Sequence, residues 1–193
     1  LTTFNNLSLI KSNKFDLINI NVNGLDEGIN FKIIKDLNEL KFQNIFLLNN
    51  EYLKKIIEEN NLVHSYKVNK IYPNAINIEI KKTKFLAITH IDNKKFLIGS
   101  NGKLIKFESS NKNLPIVFGK INIAKFLHFI KILNQSNFNF EKISEFYFYP
   151  SGRWDIKTKD NLLFKLPIEN LLNSLNLLNE IIINNGFEGK NII

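Results

Sequence analysis

Residues 65–82 read SYKVNKIYPNAINIEIKK, and this stretch decides the architecture of the first half of the chain. From Ala75 onward, Ile76, Ile78 and Ile80 alternate with Asn77, Glu79 and Lys81. Successive side chains of a strand point to opposite faces, so this period of two marks a half-buried strand over 75–82. Residues 65–72 read as a second strand, and Pro73-Asn74 joins the two: proline has no amide to give a ladder, and asparagine tolerates turn backbone.

Upstream, FDLININVN at 15–23 places Ile18, Ile20 and Val22 on one side and Asn19, Asn21 and Asn23 on the other, predicting a strand that Gly24 ends. Ile29, Ile33, Ile34, Leu37 and Leu40 then recur at three and four residues, which predicts an amphipathic helix over 30–40. A second helix follows Asn49-Asn50. Either asparagine can cap its free amides, Glu51 suits its positive end, and Leu53, Ile56 and Ile57 form its apolar stripe up to Asn60-Asn61. The order is β-α-α-β-β, and a three-stranded sheet with two covering helices is a complete small domain of about 70 residues by the two-layer rule.

The remainder opens with strands at 85–91, 95–98 and 103–107, separated by Asp92-Asn93 and Ser100-Asn101-Gly102. Asn101-Gly102 is the sequence expected of a type I′ hairpin turn. Residues 114–119, LPIVFG, read as a short extended segment, and 123–133 as a helix through Phe126, Leu127, Ile130 and Leu133. A meander follows at 143–149, 153–158 and 162–166, punctuated by Pro150-Ser151-Gly152 and Asp160-Asn161. Residues 168–184 then form a long helix with Leu171, Leu172, Leu175, Leu178, Ile181 and Ile182 at helical spacing and Gly186 as its cap, and 190–193 open another strand.

Composition narrows the chemistry. Among 193 residues there is no cysteine, which excludes thiol nucleophiles, disulfides and thiolate metal sites. The net charge of +8 raises nucleic acid or an anionic surface as a partner. The basic residues are spread rather than clustered, however, and all but Arg153 are lysine, so a solvated, mildly basic surface is the expected reading. His64, His90 and His128 have no ligand or catalytic neighbours at useful spacing, although His90 and Asp92 share a strand face. Asp26-Glu27 and Glu58-Glu59 sit where helix-end electrostatics explains them. No phosphate-binding glycine loop and no Gly-x-Ser-x-Gly occurs, so no enzyme, metal or cofactor is expected. Phe146-Tyr147-Phe148-Tyr149 could stack nucleic-acid bases if exposed, but two rings per strand face suit packing better. No run reaches the roughly 18 apolar residues of a membrane span. The chain opens on Leu1 rather than methionine, so a preceding segment is expected.

These residues resemble the extracytoplasmic part of the FtsQ/DivIB cell-division family from about Phe15 onward. Ile18-x-Ile20-x-Val22-x-Gly24 looks like the first strand of that family's POTRA domain. Lys70-Ile71-Tyr72-Pro73-Asn74-Ala75-Ile76-x-Ile78 is similar to its basic-x-Trp-Pro-x-x-Leu-x-Ile hairpin, with Tyr72 for the usual tryptophan. Further matches are 99–103 with its Gly-containing hairpin, Leu114-Pro115 with Gly119, Arg153-Trp154-Asp155-Ile156 with Arg-Trp-Asp-Leu, and Leu166-Pro167 before the last helix. The family's usual Glu, basic residue and Pro before Val-Ala are replaced here by residues 82–87, KTKFLA.

The resemblance implies an α+β chain: a juxtamembrane segment at 1–14, a POTRA domain at 15–82, and at 83–193 a mostly antiparallel β domain with two helices whose last strand is incomplete. It implies a non-catalytic division scaffold, anchored in the inner membrane by one transmembrane helix outside this chain. The region in hand would lie in the periplasm, enriched at the septum, and bind FtsB, FtsL and other divisome proteins so that septal peptidoglycan synthesis is placed and regulated. An unpaired sheet edge suits that role. Partner contact is accordingly expected at Lys190, Asn191, Ile192 and Ile193, and secondarily at Arg153 and Trp154, where arginine can hold a carboxylate through two parallel bonds; the alternatives are a core place for Trp154 and an intramolecular pair for Arg153. Arg153→Glu is expected to weaken partner binding without unfolding. A periplasmic POTRA module of an outer-membrane assembly or secretion system is the alternative.

Overall fold

Alternating isoleucines build the first sheet where the sequence places them. In the computed structural model, which describes residues 13–107 and 113–185, the chain forms two compact units, Leu1–Lys84 and Phe85–Ile193. In the first unit β1 (Asn19–Asn23), β2 (Val63–Ile71) and β3 (Ala75–Lys82) form a sheet in the order β1-β3-β2. β3 is parallel to β1 and antiparallel to β2. Ile76, Ile78 and Ile80 of β3 are buried with Ile20 and Val22 of β1. They pack in one cluster with Ile33 of helix α1 (Glu27–Asp36), Leu37 and Leu40 of the 3-10 turn that continues it, and Leu53 and Ile57 of helix α2 (Asn50–Glu59). The expected cap is present: the Asn49 side chain accepts from the Tyr52 amide at 3.1 Å.

Two local readings need correction. The first strand starts at Asn19, not Phe15, and Ile18 is 47% exposed while Leu17 is wholly buried. The cause is non-local. The Leu17 amide donates to the Gln43 carbonyl, and the amides of Phe42 and Ile45 donate to the carbonyls of Leu17 and Phe15, each at 2.9 Å, so this segment follows the loop before α2 and shifts its inward face by one residue. Helix α1 begins at Glu27 rather than Asn30, and its last turn tightens to 3-10 geometry at Leu37–Leu40.

The second unit holds seven strands, β4 (Phe85–Ile91), β5 (Lys94–Gly99), β6 (Leu104–Lys106), β7 (Ile116–Phe118), β8 (Ile143–Phe148), β9 (Trp154–Thr158) and β10 (Leu163–Lys165). Their order is β10-β9-β8-β7-β4-β5-β6, with β7 parallel to both neighbours and every other pair antiparallel. Helix α3 (Ile123–Gln135) connects β7 to β8, and helix α4 (Leu171–Asn185) follows β10. Phe126, Phe129, Ile130 and Leu133 of α3 and Leu175 and Leu178 of α4 join Phe146, Trp154 and Ile156 of the sheet in one core. Phe126 and Phe129 meet the Phe146 ring edge-on, at 5.6 and 5.8 Å between centroids, and Trp154 stacks on Phe129 at 5.0 Å. Phe146 and Phe148 therefore serve packing, as their alternation predicts. Helix α4 starts three residues later than its stripe suggests, leaving Ile168 62% exposed before it. Gly186 lies outside the described residues.

Most hairpins of the second unit share a device that the sequence partly conceals. The paired positive φ angles of a type I′ turn fall at Asp92 (48°) and Asn93 (60°), not at Asn101-Gly102. The other three hairpins of the second unit each close with an amide-to-carbonyl bond across the turn and end on one positive-φ residue: Gly102 to Gly99 at 2.9 Å, Gly152 to Tyr149 at 2.9 Å, and Asn161 to Thr158 at 3.1 Å. That is the three-residue loop with a bulge at its last position.

Gly24 meets the tightest constraint in the first unit: its φ is +106°, and a Cβ there would lie 1.7 Å from the Ile80 carbonyl oxygen. Gly24→Ala is expected to destabilise this unit by about 2 to 4 kcal/mol. Gly28→Ala, which meets nothing within 4 Å in helix α1, should be neutral or stabilising by up to about 1 kcal/mol. Urea unfolding followed by circular dichroism checks the pair.

Candidate functional site

No three His, Asp or Glu side chains gather as a metal site among the described residues. His64 on β2, His90 on β4 and His128 on α3 are exposed and lie on separate elements. The sheet of the second unit presents two surface features.

The first is its face opposite the helices. Cross-strand register places Phe118 beside Tyr147, Tyr147 beside Asp155, and Asp155 beside Lys165. Phe118 and Tyr147 stack at 5.2 Å with 18° between their planes. The Tyr147 hydroxyl donates to the Glu145 carboxylate, and Lys157 approaches the same carboxylate at 3.6 Å. Hydrogen bonding to Glu145 first, and then burial, pushes the Tyr147 hydroxyl up to about 12.

Arg153 completes this face. Its Nε and Nη2 donate to the two oxygens of Asp155 at 3.0 and 3.2 Å, and the guanidinium lies 4.5 Å from the centre of the Tyr149 ring. The bond to Asp155 is the main cause that raises the arginine further above its ordinary value. Asp155 has no exposed side-chain surface, whereas Arg153 keeps 38% of its own. The fork that lysine cannot reproduce is thus used inside the molecule, holding a buried carboxylate. Residues two apart on a strand share a face, so the spacing Arg153-x-Asp155 was the available signal for the partner of the internal pair that the sequence left open for Arg153. Trp154 points the other way into the core, is 6% exposed, and forms part of the floor of an open groove of about 540 Å³ bordered by Lys125, His128, Ile132, Ile168 and Leu171.

The second feature is the sheet edge at β10. The Thr158 amide donates to the Leu162 carbonyl at 2.9 Å and the Leu166 amide to the Trp154 carbonyl at 3.1 Å, so these residues face β9. The alternation of an antiparallel ladder then turns the amides and carbonyls of Leu163 and Lys165 away from β9. Among the described residues no strand pairs with that side. Lys190, Asn191, Ile192 and Ile193, expected to form a terminal strand, lie outside the described residues.

Comparison with known proteins fits both units. Residues 15–82 match the model of a POTRA domain, FtsQ-type, and residues 87–191 match that of Cell division protein FtsQ/DivIB, C-terminal. Cell division protein FtsQ of Rickettsia bellii is 26% identical over 176 residues, covering 83% of this chain and 61% of that protein. Cell division protein DivIB of Bacillus subtilis is 30% identical over 135 residues, covering 68% of this chain and 51% of the relative. The chain thus spans less than two thirds of the length of these relatives. A solved structure of the major extracytoplasmic domain of DivIB from Geobacillus stearothermophilus aligns at 14% identity with a TM-score of 0.41, covering 53% of this chain and 92% of that one.

The buried carboxylate revises one expectation. Arg153→Glu would set a second carboxylate against Asp155, so it should lower the urea midpoint rather than leave the fold untouched. Arg153→Ala should lower it too, and adding Asp155→Asn should recover part of the loss, because the unpaired buried charge is then gone. The Tyr147 hydroxyl makes a second prediction. Its folded-state value lies above the 10 of a free tyrosine, so its contribution is complete below pH 10 and is lost between pH 10 and about 12. Across that window the urea midpoint of the natural chain should fall more steeply than that of Tyr147→Phe.

Proposed function

The chain belongs to the FtsQ/DivIB family of cell division proteins, and we propose that it is the extracytoplasmic region of a non-catalytic division scaffold. In this reading 1–14 is a juxtamembrane segment, 15–82 a POTRA domain and 83–193 a β domain. A membrane-spanning helix precedes Leu1 and anchors the protein in the inner membrane, with both domains in the periplasm and enriched at the septum. No helix among the described residues is long and apolar enough to cross a membrane. The protein binds FtsB, and through it FtsL, and links them to other divisome proteins that place septal peptidoglycan synthesis.

The observation that carries this reading is the outward-facing backbone of Leu163 and Lys165. A short edge offers amides and carbonyls to an incoming strand, and strand addition gives a partner affinity through the main chain. The connectivity already contains a model for such an addition. β7, helix α3 and β8 form a parallel strand-helix-strand unit with its helix on the core face. β10 and helix α4 repeat its first two members, so a strand at 190–193 would lie parallel to β10, on its free side, by the right-handed crossover that such units adopt. That strand, continued beyond Ile193, presents the new edge to FtsB. Arg153 contributes as a positioned charge: it is anchored to Asp155, yet its side chain stays partly exposed for a partner carboxylate to approach.

A pull-down with the periplasmic segment of FtsB tests the proposal, comparing the present chain with one continued beyond Ile193. Capture by the longer chain at much higher yield is expected. Failure of both chains would overturn the assignment of FtsB as partner and favour a different client of the POTRA domain.

A further inference from the structure

The first unit exposes an aromatic and aliphatic tip that its own packing does not use. Three segments meet there. The entering chain at Phe15–Ile18 bonds to the loop at 42–45 as described above, and the amides of Ile18 and Asn19 donate to the Asn74 carbonyl at 2.8 and 3.2 Å. Phe46 stacks on Tyr72 at 5.2 Å and contacts Phe15 at 5.3 Å. On this tip Phe42 is 78% exposed, Leu47 62%, Tyr72 56%, Ile71 50% and Phe46 43%. Large apolar side chains exposed on segments that meet in this way are the kind of feature that marks an interaction surface.

Phe42 is the most telling member. Its φ is +65°, a left-handed conformation that a bulky residue rarely adopts, and its amide is held there by the Leu17 carbonyl. Local packing does not reward this arrangement, because the ring is the most exposed of the group. Lysines flank the tip. Lys41 precedes Phe42, Lys14 lies in the entering turn, and the Lys70 ammonium donates to the Ile45 carbonyl at 2.7 Å, which puts a cation within the loop. Asp16 is the acidic residue of the entering segment, Glu39, just before the loop, accepts from the Tyr52 hydroxyl at 2.9 Å, and Glu51 lies in the first turn of helix α2.

We infer that this tip seats on an anionic phospholipid surface, with Phe42, Phe46, Leu47 and Tyr72 in the headgroup boundary, Lys41 facing lipid phosphates and the loop-bound Lys70 ammonium adding positive charge. The inference rests on the proposed membrane anchoring, since the chain enters the unit between these same residues. Apolar rings with lysines around them match the chemistry of an anionic bilayer interface, where buried apolar area and attraction to acidic headgroups add. The tip then fixes how the first unit stands on the membrane.

The absence of cysteine allows a site-specific test. The chain, tethered through an N-terminal histidine tag to nickel-lipid vesicles, carries an environment-sensitive dye at Leu47→Cys or, as a control at the other end of β3, at Lys81→Cys. On vesicles containing phosphatidylglycerol, emission at position 47 should rise severalfold and shift to shorter wavelength, while position 81 stays unchanged. Adding Phe42→Asn, which relieves the left-handed backbone, should reduce the response at position 47 without lowering the thermal midpoint. No response at position 47, an equal response at 81, or a response without vesicles that grows with protein concentration would overturn the inference, the last in favour of a second copy of the chain. Because the tether supplies the anchor, these outcomes are separate from the anchoring proposal, which fails instead if the full-length protein is not retained in the inner-membrane fraction of cells.

Discussion

A sheet cannot end without leaving one row of amides and carbonyls to water or to another strand. The second unit depends on how it meets that requirement at β10. Everything inward of this strand is fixed by dense packing, with Phe126, Phe129, Phe146 and Trp154 locking helix α3 against the middle of the sheet. The edge itself is short, and Leu163 and Lys165 point their backbone groups away from the fold. A rigid centre beside a margin that no strand covers among the described residues suits strand addition, because the incoming strand meets a preformed register.

Arg153 and Asp155 reinforce that margin from the exposed face. A wholly buried carboxylate is costly without a partner, and the bidentate guanidinium supplies one while lying over Tyr149. The pair holds the turn between β8 and β9 and so the strand on which β10 is laid. In a chain whose other basic residues are all lysine, the single arginine stands where planar, two-pronged geometry is needed.

Much of this fold was legible because its strands alternate cleanly. β3 has the predicted limits, and Ile76, Ile78 and Ile80 face inward as expected. The Asn49 cap was legible for a similar reason: capping is local, and its donors lie within one turn. What escaped was set at a distance. Ile18 belonged to an apparently regular alternation, but backbone pairing with the loop at 42–45 turned Leu17 inward instead. Asn101-Gly102 has the composition of a type I′ turn, yet the paired positive φ angles occur at Asp92-Asn93, where only two residues separate the strands. The site was half visible. Arg153 stood out as the one arginine, but its carboxylate partner required reading the strand face rather than the motif, and the free side of β10 follows only from the strand order.

The account turns on the free side of β10 receiving the terminal strand. Amide hydrogen exchange at Leu163 and Lys165 reads this directly, comparing a chain ending at Asn185 with one continued beyond Ile193. Strand addition predicts fast exchange at both amides in the shorter chain and strong protection in the longer one. Equally fast exchange in both would contradict the account, because the terminal segment would then lie elsewhere and β10 would not be the strand on which the sheet is extended.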